Sequence, residues 1–199
     1  MKLICIGPNY YESEKKFVSS KELLFFMKPD TALLIRNRPF FIPDFSSDIH
    51  PEIQLVAKIH KIGRHIQAKF AHKYYNQIAL GIDFSAHDLL NQCKQNGNPW
   101  EIAKAFDFSA AISEFVSLTG DVQNKTLEMK LNGELVQKAN TKEMIFTVDQ
   151  IIEHVSKFVT LKIGDLIFTG TPSSTPKINI GDQISGSLDG EELFHFSVK

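Results

Sequence analysis

Cysteine is nearly absent from this chain: Cys5 and Cys93 are the only two in 199 residues. Neither stands in a CxxC or Cys/His spacing, which argues against a zinc site and against a disulfide scaffold. Long apolar runs are missing too. Nothing approaches the roughly 18 consecutive apolar residues of a membrane span. Met1-Lys2 is followed by only a short apolar run, Leu3 to Ile6, before Gly7-Pro8, too short for the apolar region of a signal peptide. A cytoplasmic protein is the expectation. Charge of one sign is also lacking. Lys and Arg number 22 against 23 Asp and Glu, for a net charge of −1, and the basic residues are scattered. A nucleic acid or an anionic membrane is therefore not the expected partner. No internal repeat and no linker interrupts the chain.

What is present suits one soluble globular domain over 1–199, long enough to bury a sizeable core. Lys2 to Ile6 reads as a strand ended by a Gly7-Pro8-Asn9 turn. Tyr10 to Phe26 is rich in charge and reads as an exposed, lid-like segment with helical character. Phe25 to Lys28 and Ala32 to Ile35 are short strand candidates, and Arg36 to His50, with Pro39 and Pro43, reads as loop. A long strand follows from Glu52 to about Ile62, then a turn near Gly63 and a second strand from Gln77 to Ile82 that ends at Asp83. Ser85 is placed to cap a helix, with Asp88 completing a capping-box variant and Gly97 stopping it. Asn98-Pro99 opens another helix carrying Lys104. Leu127, Met129 and Leu131 alternate into Asn132-Gly133, a hairpin signal. Thr147 to Gln150 has capping-box spacing ahead of an apolar helical stripe. Leu166 to Phe168 and the alternating Phe194, Phe196 and Val198 complete the strands. Many strands with a few short helices at irregular intervals give an α+β class.

The chemistry-bearing stretch is His50 to Leu55. Ile53, Leu55, Ala57 and Ile59 alternate, so Glu52 and Gln54 point together to the other face. If the strand ending at Asp83 is its neighbour, one face carries Glu52, Gln54 and Asp83, all oxygen donors of the kind hard cations prefer. The plainer reading of the spacing is a solvated polar strand face. His50, His60, His65 and His72 read as surface or strand-end residues, without the i, i+4 spacing of a zinc site.

Seven segments, taken in order, resemble one known family. They are Gly7-Pro8-Asn9-Tyr10, Phe26 to Ala32, His50 to Leu55, Gly81 to Asp88, Pro99 to Phe106, Leu131 to Glu134 and Asp165 to Pro172. Each is weak alone, but together they cover nearly the whole chain. The family is that of fumarylacetoacetate hydrolase, and the likeness is to its short members such as acylpyruvate hydrolases, oxaloacetate decarboxylases and hydroxyheptadienedioate isomerases. The resemblance implies a mixed β-sheet rolled on itself, usually in a homodimer. It implies Mg2+ or Mn2+ held at the positions of Glu52, Gln54 and Asp83. The substrate implied is a small 2-oxo or β-diketo carboxylic acid, hydrolysed, decarboxylated or isomerised through a metal-stabilised enolate. Lys104 matches the lysine beside that oxyanion, and Thr171 matches a substrate contact. Lys28 and His87 fall at substrate-binding positions.

The sequence departs from the pattern where charge matters. Gln54 replaces a carboxylate, so the metal site is weakened. Pro8 and His87 replace arginines, and Leu90 replaces a glutamine. The lid's general-base pair is Ser13 and Lys16 here, with Glu12 and Glu14 the nearby substitutes. Reduced or altered activity is one expectation. The other is a non-catalytic member that keeps the fold for ligand binding or as a structural dimer.

Overall fold

The computed structural model describes residues 1–10, 22–171 and 175–199. Its strands are β1 (Leu3–Ile6), β2 (Phe25–Lys28), β3 (Leu33–Leu34), β4 (Ile49–Ile59), β5 (Tyr75–Ala86), β6 (Ala110–Ile112), β7 (Val116–Ser117), β8 (Thr126–Leu131), β9 (Glu134–Asn140), β10 (Leu166–Phe168), β11 (Gln183–Leu188) and β12 (Glu191–Ser197). Its helices are α1 (Ala68–Ala71), α2 (His87–Asn96), α3 (Glu101–Lys104) and α4 (Val148–Phe158). The class is α+β. No helix among the described residues is long and apolar enough to cross a membrane.

A mixed sheet runs in the order β2-β1-β10-β4-β5-β6-β3, with β7 added beside β5. It is mixed because β1 and β10 are parallel while β4 is antiparallel to both β10 and β5. The sheet curls until its distant strands meet: Lys28 of β2 reaches across to Ser109, just before β6, through Nζ to the Ser109 carbonyl at 2.7 Å. Leu3, Cys5, Val56, Ala79, Ala110, Leu166 and Phe168 fill the inside of this roll. A second sheet, β12-β11-β8-β9, packs on the outside with α4. Ile53, Leu55, Ala57 and Ile59 face that larger core.

Both faces of β4 are therefore buried, which corrects the solvated-face reading. Alternation puts Ile53 and Leu55 in one core, but Gln54 (1% exposed) and Val56 lie inside the roll. Period-two patterning identifies a strand and cannot say whether its polar face meets water or a closed interior.

Local signals succeed where the chain supplies its own hydrogen bonds. Thr147 accepts from the Gln150 amide and the Gln150 side chain accepts from the Thr147 amide, closing the box ahead of α4. Asn132 and Gly133 take positive φ (53° and 85°), as the tight hairpin between β8 and β9 requires. Two expectations shift. Ser85 does not cap a helix: β5 continues through Ala86, Asp83 lies inside the strand, and α2 starts at His87 without a side-chain cap. Cross-strand pairing of His50 with Ser85 and Ile49 with Ala86 holds these residues extended. The helix expected from Asn98-Pro99 begins later and makes only one turn, Glu101–Lys104. Of the lid-like segment from Tyr10 to Phe26, residues 11–21 lie outside the described residues. Its described ends are ordinary fold, with Tyr10 buried and Phe25–Phe26 in β2.

Candidate active site

The register of β4 against β5 builds the site. Glu52 lies directly opposite Asp83, Gln54 opposite Gly81, and His50 opposite Ser85. Opposed residues on antiparallel strands share a face, so the five polar side chains converge inside one end of the roll. Gly81 makes the packing possible: a Cβ there would come within 2.6 Å of both Phe168 Cε1 and Val56 Cγ2. The ring and the valine form the apolar floor beneath Gln54 and Asp83.

Lys104 enters from the end of α3. Its ammonium lies 2.9 Å from Glu52 Oε2 and 3.1 Å from Asp83 Oδ2, donates to the Ser85 hydroxyl, and sits 5.5 Å from the centre of the Phe26 ring. Burial alone would favour loss of the lysine proton; Asp83, and then Glu52, outweigh it and hold the ammonium well above the ordinary lysine range. Burial likewise acts to raise Glu52, but the charges and polar contacts of Lys104 and His87 prevail and bring its carboxyl down to about 2. Lys104 is a positive charge fixed in a dry setting, the arrangement that stabilises an oxyanion without reorganisation.

The Gln54 amide is held on both sides. Its Oε1 accepts from the Gly170 amide at 2.8 Å, and its Nε2 lies 3.4 Å from Asp83 Oδ2. Gln137 ties the neighbouring elements together: its Oε1 accepts from Ile53 N at 2.9 Å and its Nε2 donates to Thr171 Oγ1 at 2.9 Å. Thr171 thus stands beside the strand that carries Glu52 and Gln54.

Lys28, expected at a substrate-binding position, lies inside the roll beside Asp83. Its side chain is fully buried, with Nζ 2.6 Å from Asp83 Oδ1. That is an ion-pair contact outside hydrogen-bonding orientation, since Oδ1 has no directed donor among the described residues. The ammonium's hydrogen bonds go to the carbonyls of Ser109 (2.7 Å) and Phe84 (3.3 Å) and to Ser109 Oγ (3.1 Å). Lys28 supports Asp83 from behind and closes the roll.

At the mouth, His87 Nε2 lies 3.8 Å from Glu52 Oε1. Its ring stacks on His50, with centroids 3.9 Å apart and planes 10° from parallel. His50 Nδ1 donates to the Thr175 carbonyl at 2.7 Å, and Nε2 lies 3.0 Å from Asp48 Oδ1. His50 is thus a strand-end histidine, as expected, and it also forms part of the site wall. Its alternation with Glu52 and Gln54 is the signal that could have found it. Ser85, expected as a helix cap, joins the site instead, two residues beyond Asp83 on the same face; Ser109 and Gln137 carry no such signal in the sequence. Ser13, Lys16, Glu12 and Glu14 lie outside the described residues. Among the described residues, no group of three or more His, Cys, Asp or Glu side chains is arranged to hold a metal ion. Glu52 and Asp83 are two carboxylates, and an amide fills the third position of the expected set.

The rolled sheet and its carboxylate–lysine cluster define a class. The family model described as fumarylacetoacetate (FAA) hydrolase C-terminal matches residues 2–193. The chain belongs to the fumarylacetoacetate hydrolase family. It is 37% identical over 201 residues to the mitochondrial oxaloacetate tautomerase FAHD1 of Mus musculus, covering 99% of this chain and 91% of the relative. It is 36% identical to the oxaloacetate tautomerase YcgM of Escherichia coli over 197 residues, covering 96% of this chain and 90% of that one. Among solved structures it is similar to the fumarylpyruvate hydrolase of Pseudomonas aeruginosa in complex with Mn2+ and pyruvate. That match has a TM-score of 0.89 and 30% identity and covers 100% of this chain and 89% of that one. It is also similar to the 2-hydroxyhepta-2,4-diene-1,7-dioate isomerase of Mycobacterium marinum, with a TM-score of 0.87 and 31% identity, covering 99% and 73%.

Proposed function

We propose that the chain is an enzyme acting on a small 2-oxo carboxylic acid, with keto–enol exchange of an oxaloacetate-like substrate as its best-supported reaction. The observation that carries this is the buried Lys104 ammonium, fixed by Glu52, Asp83 and Ser85 at the end of the roll. In the exchange a proton passes from C3 of the keto acid to water, the electron pair moves to the C2 oxygen, and a proton from water added there gives the enol. Lys104 faces the developing oxyanion. Thr171 and His87 contact the substrate, His87 offering its imidazole to a carboxylate at the mouth.

Glu52 and Asp83 are hard oxygen donors on one face and suit Mg2+ or Mn2+, which need only one or two carboxylates with water completing the shell. A divalent ion, when bound, supplies Lewis-acid polarisation of the 2-oxo group. Two ammonium groups already balance these two carboxylates, so the site is a weak one. Hydrolysis of acylpyruvates and decarboxylation of oxaloacetate are the slower activities, because Ser13 and Lys16 stand where the resemblance places a base pair. The family resemblance favours a homodimer as the working unit, which light scattering tests directly as twice the 22.5 kDa chain mass.

The test is the ultraviolet absorbance of enol-oxaloacetate, followed in Mg2+ and in chelator. Decay faster than the uncatalysed rate, lowered about 10²-fold by Lys104→Met, is the expected result. A second reading is favoured by the charge balance of the cluster, Lys28 and Lys104 against Glu52 and Asp83: a non-catalytic member that binds carboxylic acids. It becomes the better account if oxaloacetate and acylpyruvates bind without any rate enhancement.

A further inference from the structure

The geometry points to Gln54 as a positioning residue, a hydrogen-bond donor to Asp83 and an anchor for Gly170, and not as a ligand to a metal ion. This rests on the reading that Glu52 and Asp83 hold the ion. Gly170 fixes the orientation of the amide. A backbone N–H can only donate, so the atom 2.8 Å from it must be the Gln54 carbonyl oxygen. The amide therefore has one orientation. Its oxygen is turned to the backbone, and its NH2 faces Asp83 Oδ2 at 3.4 Å. The reversed amide would set donor against donor at Gly170 and oxygen against carboxylate at Asp83, leaving two buried groups unsatisfied.

Neither partner can turn away to release the oxygen. Gly170 holds a φ of +94°, and a Cβ there would meet Asn9 Cβ at 2.6 Å and the Gly7 carbonyl at 2.8 Å, so its backbone is closely walled. Gln54 is 1% exposed, and the Val56 and Phe168 side chains crowd the face of Gly81 opposite it. A glutamate at position 54 could accept from Gly170 with one oxygen and offer the other to a cation. An amide has a single oxygen for both tasks, and here that oxygen is turned to Gly170 while the NH2 is what faces Asp83. The substitution thus changes the hydrogen-bond polarity of the site as well as its charge. It keeps the tie between β4 and the loop that carries Thr171.

Wild type, Gln54→Met and Gln54→Glu separate the alternatives through two readouts. The first is Mn2+ binding followed by electron paramagnetic resonance. The second is hydrogen exchange of the Gly170 amide, with the Leu80 amide as a control for the fold. If Gln54 is a donor and anchor, Gln54→Met binds Mn2+ within about twofold of wild type, and Gln54→Glu binds at least about tenfold tighter. The Gly170 amide exchanges at least about tenfold faster in Gln54→Met and is restored to wild-type protection in Gln54→Glu. A loss of Mn2+ affinity of about tenfold or more in Gln54→Met makes Gln54 a ligand and overturns the proposal. Equal Gly170 protection in all three proteins overturns it as well. If none of the three binds Mn2+, the assignment of the ion to Glu52 and Asp83 fails, while the Gly170 pattern still decides the orientation of the amide. Should Gln54→Met lose Leu80 protection and unfold, the coupling across the hydrogen bond between the Gly170 nitrogen and the Gln54 side-chain carbonyl carbon is measured in wild type, and its absence refutes the anchor.

Discussion

Replacing Lys28 with methionine keeps the length of the side chain and removes its charge. In the folded protein that ammonium lies 2.6 Å from Asp83 Oδ1 and donates to two carbonyls and a hydroxyl across the closure of the roll. Lys104 still faces Asp83 Oδ2, so the carboxylate keeps one cation, but Oδ1 loses the ammonium paired with it. Removing one partner of a buried pair costs about 3–5 kcal/mol, because an uncompensated charge stays buried. Against a total stability of about 5–15 kcal/mol that is a large fraction. For a chain of this size it corresponds to a fall of roughly 6–20 °C in Tm. Urea denaturation of the metal-free protein at neutral pH measures it. The double change Lys28→Met with Asp83→Asn removes the stranded charge and should recover at least about 1 kcal/mol over Lys28→Met alone, a coupling typical of contacting residues. A Lys28→Met protein within about 1 kcal/mol of wild type, or a double variant no more stable than the single one, would mean that the buried pair does not carry the closure.

Other perturbations test separate parts of the structure. Gly81→Ala drives a methyl into the Phe168 ring and the Val56 side chain, both fully buried, and should cost about 1–3 kcal/mol in urea denaturation. Thr147→Ala opens the capping box of α4 and should cost about 1 kcal/mol, with faster exchange confined to the first turn of that helix. Desolvation is the largest single influence on Asp88 and acts to raise its carboxyl, but acceptance from the Ser46 hydroxyl and from the Leu89 and Ser47 amides together outweighs it and lowers the carboxyl below the ordinary value. A lowered folded value contributes stability above the unfolded pKa and loses it as pH falls through the folded one. Asp88→Asn should therefore destabilise by about 1 kcal/mol at neutral pH, and the difference should vanish in acid; a difference independent of pH would remove the ionised carboxylate from the account.

Local chemistry made much of the chain legible in advance. Asn132-Gly133 supplies the positive φ its hairpin needs, and Thr147 with Gln150 closes its own cap, so both were readable without knowing any distant residue. The alternation of Ile53, Leu55, Ala57 and Ile59 marked a strand for the same reason: the period belongs to the backbone. The placing of Glu52, Gln54 and Asp83 together needed one further condition, that the two strands pair in register. Tertiary structure decided what surrounds them. Curling of the sheet put Gln54 and Val56 inside a roll, where alternation allowed open water. It also drew Lys28 behind Asp83, where the motif suggested a substrate contact. Ser85 before a helix has the chemistry of a cap, yet pairing with His50 keeps it in β5, with its hydroxyl against Lys104. Which atom of Gln54 faces the site depends on Gly170, 116 residues away in the chain. A sequence records which groups can donate or accept; only the fold chooses the partner, because hydrogen bonds and buried charges are settled by the geometry of elements remote from one another in the chain.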